Sequence, residues 1–207
     1  GVESETFNAA HAHIRIHGRS VHPGSAKGVM KNASLIAMEF HALLPTLERP
    51  ENTEGYEGYY YLIHLKGACE EAEMDYILRD HDAAKLDRKV EVIHKAAEEI
   101  NRRYGAGTIT ADTGYDYKNM RVVIEQYPHL IDTAYEAIRE VGGEPKSVAV
   151  RGGTDGCMLS FMGLPCPNLG TGGYNFHGRY EFACVEDMDL AAETVVKIAE
   201  KYADFKK

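Results

Sequence analysis

Three observations predict an α/β protein. Residues 10–17 alternate apolar and polar, which is the period-two signature of a half-buried strand. Residues 29–44 and 86–100 carry their apolar residues at helical spacing instead. Beyond residue 128, helical segments alternate with short apolar ones, the pattern of a parallel sheet covered by helices.

In the first strand Ala10, Ala12, Ile14 and Ile16 form one face. His11, His13, Arg15 and His17 form the other, read here as the wet face of an edge strand. His22-Pro23-Gly24 breaks the chain, because proline fixes φ and glycine relaxes it. The helix over 29–44 puts Ala33, Ile36, Ala37, Phe40 and Leu44 on one stripe and ends before Pro45 and Pro50. A tyrosine-rich second strand covers 56–66 and a third covers 73–80, with Gly67 in the turn between them. Leu86, Val90, Ile93, Ala97 and Ile100 mark a long second helix, which Gly105 and Gly107 close. Residues 108–117 make the fourth strand. The order strand, helix, strand, strand, helix, strand is the ferredoxin-like βαββαβ unit.

The second part differs. A helix over 128–141 is entered by a proline in its first turn and left through Gly142-Gly143. A short strand over 147–150, a helix over 155–162, a strand over 165–169, a glycine-rich loop over 171–178 and a helix over 186–202 follow. Parallel strands are buried by helices on both faces. Two or three short strands cannot support that alone, so this part reads as a portion of a larger α/β domain.

Composition excludes several classes. Lysine and arginine number 23 against 32 acidic residues, a net charge of −9. No broad basic surface exists for sequence-independent nucleic-acid binding. No apolar run approaches the roughly 18 residues of a membrane span. Cys69, Cys157, Cys166 and Cys184 lack the spacing of a zinc ribbon, a redox pair or a disulfide framework. They point to a reducing, cytoplasmic compartment. Residues 1–5 are acidic and polar, unlike a secretory signal.

Several residues could carry chemistry. Arg151-Gly152-Gly153-Thr154-Asp155-Gly156 lies between an apolar strand and a helix. It suits an anion such as a carboxylate, or else forms a tight turn in which Asp155 caps the helix. His177 stands in a glycine-rich loop beside Phe176, a setting for a metal ligand or a general base. One histidine is not a zinc site, which needs three or four ligands. His22 sits in a turn, and Arg79 either holds an anion or pairs with Asp80 or Asp82. The pairs Glu70-Glu71 and Glu98-Glu99 fit a turn and the charged face of a helix.

The combination of motifs is more specific than any one of them. The stretches SVHPGSAKGVM at 20–30, TEGYEGYY at 53–60, YILRD at 76–80, YKNM at 117–120, RGGTDG at 151–156, LSFMGLPCPNL at 159–169 and TGGYNFHG at 171–178 run in order along the chain. Together they resemble the C-terminal half of the tripeptide aminopeptidases in the aminoacylase-like, co-catalytic zinc metallopeptidase family. The resemblance implies a lid, or dimerisation, domain over 7–118 and the C-terminal part of a catalytic α/β domain over 119–207. It implies an enzyme that releases the N-terminal residue of small peptides with two zinc ions per full-length subunit. His177 is then the last zinc ligand, and His22, Arg79, Asn119 and Arg151 bind substrate, with His22 reaching toward the partner subunit's site. The partners implied are a peptide substrate and a second copy, joined through the lid; neither nucleic acid nor membrane is among them. The family's general-base glutamate and remaining metal ligands lie upstream of the lid, so no catalytic residue is expected in this chain. Two alternatives stand beside this reading: a non-catalytic module for dimerisation and substrate gripping, and a sibling carboxypeptidase or deacylase.

Overall fold

Alternating faces in the first part of the chain build an antiparallel sheet. The computed structural model describes residues 1–203. It divides into two units, Phe7–Lys118 and a second formed by Gly1–Thr6 with Asn119–Lys207. A first strand, β1 (Val2–Glu5), belongs to the second unit. The unit Phe7–Lys118 runs β2 (Asn8–His17), α1 (Ala33–Ala42), β3 (Tyr59–Gly67), β4 (Glu71–Asp80), α2 (Ala83–Tyr104) and β5 (Ile109–Tyr117). The strand order is β3-β4-β2-β5, and all three neighbouring pairs are antiparallel. This is the ferredoxin-like topology.

Both helices cover one face of this sheet. Ala12, Ile14 and Ile16 of β2 and Met74, Tyr76 and Leu78 of β4 pack with Ile36 and Phe40 of α1 and Ile93 and Ile100 of α2. Each of the larger aliphatic and phenylalanine side chains among them contributes on the order of 2 kcal/mol of transfer free energy. The expected edge position of β2 is corrected: it lies between β4 and β5, and the edges are β3 and β5. Its histidines find carboxylates on the neighbouring strands. His11 Nδ1 is 2.6 Å from Asp116 Oδ1, and His13 Nδ1 is 2.5 Å from Asp75 Oδ1. Helix α1 starts at Ala33 rather than at 29, because Lys31 is held in a backbone bridge to Arg19 and Asn32 Oδ1 accepts the Leu35 N–H. Helix α2 is capped by Asp82 and ends where Gly105 takes a φ of +99°.

The second unit continues with α3 (Arg121–Ile124), α4 (Pro128–Glu140), β6 (Ser147–Ala149), α5 (Asp155–Phe161), β7 (Asn168–Leu169), β8 (Gly173–Tyr174), β9 (Phe182–Ala183) and α6 (Val185–Ala203). Its main sheet is ordered β6-β1-β7. The parallel expectation holds for β1 with β6 only; β7 runs antiparallel to β1. The strand expected over 165–169 shrinks to two residues, since Pro165 and Pro167 offer no N–H to a ladder. Val2 anchors β1 against Ala134 and Ile138 of α4. Among the described residues no helix is long and apolar enough to cross a membrane.

Candidate functional site

In the second unit, the parallel pairing of β1 and β6 delivers Arg151. The Val150 N–H donates to the Glu5 carbonyl at 2.8 Å, so Arg151 emerges just past the carboxyl end of the strand. Arg151 and His177 line one cavity of about 1030 Å³, together with Glu3, Thr154, Asn168 and Asp187. The expected cap is corrected: Thr154, not Asp155, caps α5. Its Oγ1 accepts from the Cys157 N–H at 3.1 Å and from Asn168 Nδ2 at 3.0 Å. Asp155 takes the first turn, where its charge favours the positive end of the helix. Asn168 Nδ2 also donates to Glu3 Oε2 at 3.2 Å, which ties the cavity wall to β1. The Cys157 thiol beneath is pushed up by burial and stays protonated, unlike a nucleophilic cysteine.

His177 sits in the loop that connects β8 to β9. The Tyr174 and Phe182 rings stack at 5.1 Å across this hairpin, and Tyr174 OH donates to Asp187 Oδ2 at 2.7 Å. In the loop between the strands, Asn175 and His177 both occupy the left-handed region, at φ 56° and 62°. Asparagine and histidine are among the non-glycine residues that enter this region most readily. The His177 N–H is held by Glu181 Oε2 at 3.0 Å. Gly172 enters the hairpin at φ +82°, and a Cβ there would lie 2.7 Å from the Met188 nitrogen. The imidazole itself is exposed. Among the described residues no three His, Cys, Asp or Glu side chains gather to hold a metal ion. The residues present therefore do not make a zinc centre, and His177 is a single donor.

Asn119 is buried, and its amide is engaged within the second unit. Its Oδ1 accepts from the N–H groups of Thr6 at 3.1 Å and Arg121 at 3.0 Å, and its Nδ2 donates to Glu5 Oε1 at 3.1 Å. It braces the end of β1 against the start of α3.

The remaining two candidates lie in the unit Phe7–Lys118. His22 is exposed and caps a single 3-10 turn, its Nδ1 accepting the Gly24 N–H at 3.1 Å. Acceptance at Nδ1 assigns the proton of the neutral ring to Nε2. Arg79 lies on β4 with its side chain 12% exposed, and its expected partners are corrected. Asp80 points into the helix-covered face toward Lys89 and accepts the Asp82 N–H, while Arg79 Nη1 donates to the carbonyls of Leu78 at 2.9 Å and Ala10 at 3.3 Å. Two residues flank it: Asp116, which carries no sequence signal, with Oδ2 3.9 Å from Nη1, and Tyr117 of the YKNM stretch, whose ring lies 5.2 Å from the guanidinium carbon. His22 and Arg79 stand at opposite ends of the sheet. Arg79 pairs with Ala9, whereas the His22 turn follows His17, eight positions along β2. Eight residues of strand span about 27 Å.

With this geometry in place, likeness to known proteins becomes informative. Residues 4–105 match the peptidase dimerisation domain of the M20 family. Peptidase T of Caldanaerobacter subterraneus subsp. tengcongensis is 54% identical over 201 residues, covering 97% of this chain and 49% of that protein. Peptidase T of Clostridium novyi is 48% identical over 202 residues, covering 98% of this chain and 50% of that protein. Among solved structures, aminopeptidase PepT from Bacillus cereus superposes with a TM-score of 0.79 at 22% identity, over 98% of this chain and 54% of that one. A tripeptidase from Staphylococcus aureus superposes with a TM-score of 0.82 at 18% identity, over 99% of this chain and 54% of that one. The chain spans about half the length of the curated relatives it matches.

Proposed function

We propose that this chain, which is similar to about half of peptidase T and matches a peptidase dimerisation domain over residues 4–105, is the C-terminal portion of a zinc aminopeptidase that releases the N-terminal residue of tripeptides. The carrying observation is that Arg151 and His177 share one cavity in a chain 54% identical to a peptidase T along 97% of its length. In this reading His177 completes a zinc centre whose other ligands, and whose general-base glutamate, lie outside this chain. Zinc, when bound, supplies an activated water and polarises the scissile carbonyl. Arg151 grips the peptide backbone. Arg79 takes the one anion that every unblocked tripeptide carries, its C-terminal carboxylate, which a guanidinium meets bidentately. His22 donates its Nε2–H to a substrate oxygen. A tripeptide extends at most about 10 Å. One lid therefore cannot apply both Arg79 and His22 to one substrate, and His22 of the partner subunit serves the site instead. Asn119 acts as the brace that holds β1 in place. The cytoplasm suits four free thiols.

Dimerisation is assigned to the open edge at β3 and the outer face of α1, where Leu35, Met38, Ile63 and Leu65 are about half exposed or more. That edge would equally support the bare gripping module as a second reading, and one experiment separates the two. The purified chain is assayed on a tripeptide with excess zinc, with bound metal measured in the same sample. No turnover and less than one metal per chain is expected of this portion alone, whereas turnover with about two bound metals would overturn the ligand assignment. The full-length protein is then compared on tripeptides, dipeptides and acylated amino acids. Faster cleavage of acylated amino acids would replace the tripeptidase by a sibling deacylase, and no cleavage of any substrate would leave the gripping module.

A further inference from the structure

Tyr115 and Tyr117 lie two positions apart on β5, yet they serve opposite faces of the sheet. Tyr115 OH donates to Asp87 Oδ1 of α2 at 2.6 Å, on the helix-covered face. The Tyr117 ring lies beside Arg79 on the other face, 5.2 Å from the guanidinium carbon. Period-two alternation would give both the same face. The break is a β-bulge: Ala10 pairs with Tyr115 and Ala9 with Tyr117, so Asp116 is the extra residue. Asp116 keeps the open face of Gly114 and Asp112, and Tyr117 is switched onto it. The row Arg79–Ala9–Tyr117 then crosses three strands, with only a methyl group in the middle. The arginine lies across Ala9 to meet the ring.

This row treats the guanidinium in a particular way. Nη1 is held by two backbone carbonyls, and one face of the group is covered by the Tyr117 ring. Asp116 stands 3.9 Å away, drawn instead to His11 at 2.6 Å, so it does not close a bidentate pair with Arg79. No protein hydrogen bond engages Nε or Nη2 among the described residues. That edge is the one which meets a carboxylate with two parallel bonds. We propose that the bulge at Asp116 exists to seat Arg79, with Tyr117 as the positioning residue that presents the Nε–Nη2 edge of the guanidinium to the substrate's carboxylate. The proposal rests on the reading of Arg79 given above and deepens it.

The test uses the full-length protein and two readouts. The first is steady-state kinetics on a tripeptide and on the same tripeptide with an amidated C-terminus. The second is the rate at which phenylglyoxal modifies Arg79, followed by mass spectrometry. Arg79→Met tests the underlying reading: KM for the free acid rises at least tenfold and that for the amide stays put. Tyr117→Leu tests the seat. KM for the free acid is expected to rise roughly three- to thirtyfold, the range of a cation–π contact, with kcat and the amide's KM unchanged, and Arg79 reacts faster with phenylglyoxal. Tyr117→Phe retains the ring and restores both readouts. If Arg79→Met has its effect and Tyr117→Leu has none, or if Tyr117→Leu harms acid and amide alike, the seat is overturned and the reading of Arg79 survives. If Arg79→Met leaves the acid's KM unchanged, that reading falls, and the carboxylate-presenting role of Tyr117 falls with it. An unchanged phenylglyoxal rate in Tyr117→Leu overturns the seat whatever the kinetics show.

Discussion

Met38 offers the sharpest test of the proposed dimer interface. It lies on α1 opposite the buried stripe of Ile36, Ala37 and Phe40, and 60% of its surface is exposed. Leu35, one turn back on the same outward face, is 56% exposed. Full burial of a methionine is worth about 1.5–3 kcal/mol, so covering the exposed part yields roughly 1–1.5 kcal/mol in one copy. A twofold interface uses each patch twice. Met38→Ala should therefore cost about 2–3 kcal/mol per dimer, a roughly 30- to 150-fold weaker Kd. Alanine is the better helix former and the site faces outward, so the stability of the unit Phe7–Lys118 itself should change by less than about 0.5 kcal/mol. Sedimentation equilibrium from nanomolar to micromolar concentration reads the first quantity and urea unfolding of the dissociated protein the second. A Kd that does not move while the fold stays intact refutes the placement of the dimer interface on α1.

Three further outcomes follow from the packing. Asp80→Ala removes a fully buried partner of the buried Lys89, which also pairs with Glu48; urea melts should show a loss of about 3 kcal/mol, and adding Lys89→Met should recover most of it. A single variant as stable as the parent would mean that Lys89 does not depend on Asp80. Burial first, and the Arg49 cation next, hold His41 below the ordinary histidine range, against an opposing pull from Glu51. The unfolded chain then binds this proton before the folded one, so stability falls as pH drops through about 6.5 and levels off below the folded value; His41→Gln should flatten that part of the profile, and parallel profiles would refute the assignment. Gly172→Ala forces a side chain onto φ +82° and against the Met188 backbone; a destabilisation of about 1–3 kcal/mol with faster proteolysis in the His177 loop is expected, and an unchanged digestion pattern would show that the hairpin does not depend on Gly172.

Legibility in the sequence tracked how local each feature is. The strands and helices of the unit Phe7–Lys118 announce themselves through the spacing of Ala10 to Ile16 and of Leu86 to Ile100, and their order implies the topology that the sheet adopts. Strand β1 gave no such signal. It has one apolar residue, and it is a strand because Ser147 and Ala149 pair with it on one side and Asn168 and Leu169 on the other. The interior position of β2 was hidden for a related reason. Histidines at alternate positions look like an open edge until Asp75 and Asp116, each more than sixty residues away, come alongside. The cap of α5 was misplaced by one residue, because Thr154 and Asp155 are both good caps and only the Asn168 contact distinguishes them.

Arg79 is visible in the sequence as a candidate, whereas its surroundings are set by strand pairing. An arginine between Leu78 and Asp80 invites a local ion pair, but alternation along β4 sends Asp80 into the helix-covered face and Arg79 to the other. Its neighbours are then chosen by cross-strand register, and register here includes an extra residue on β5. A bulge is a property of two strands together, so nothing in the run Gly114-Tyr115-Asp116-Tyr117 foretells that Tyr115 and Tyr117 part company. Substituting the arginine alone cannot tell a general anion attraction from a seated, oriented one. The contrast between Tyr117→Leu and Tyr117→Phe can, because it leaves the charge of Arg79 in place and removes only the surface against which that charge is held.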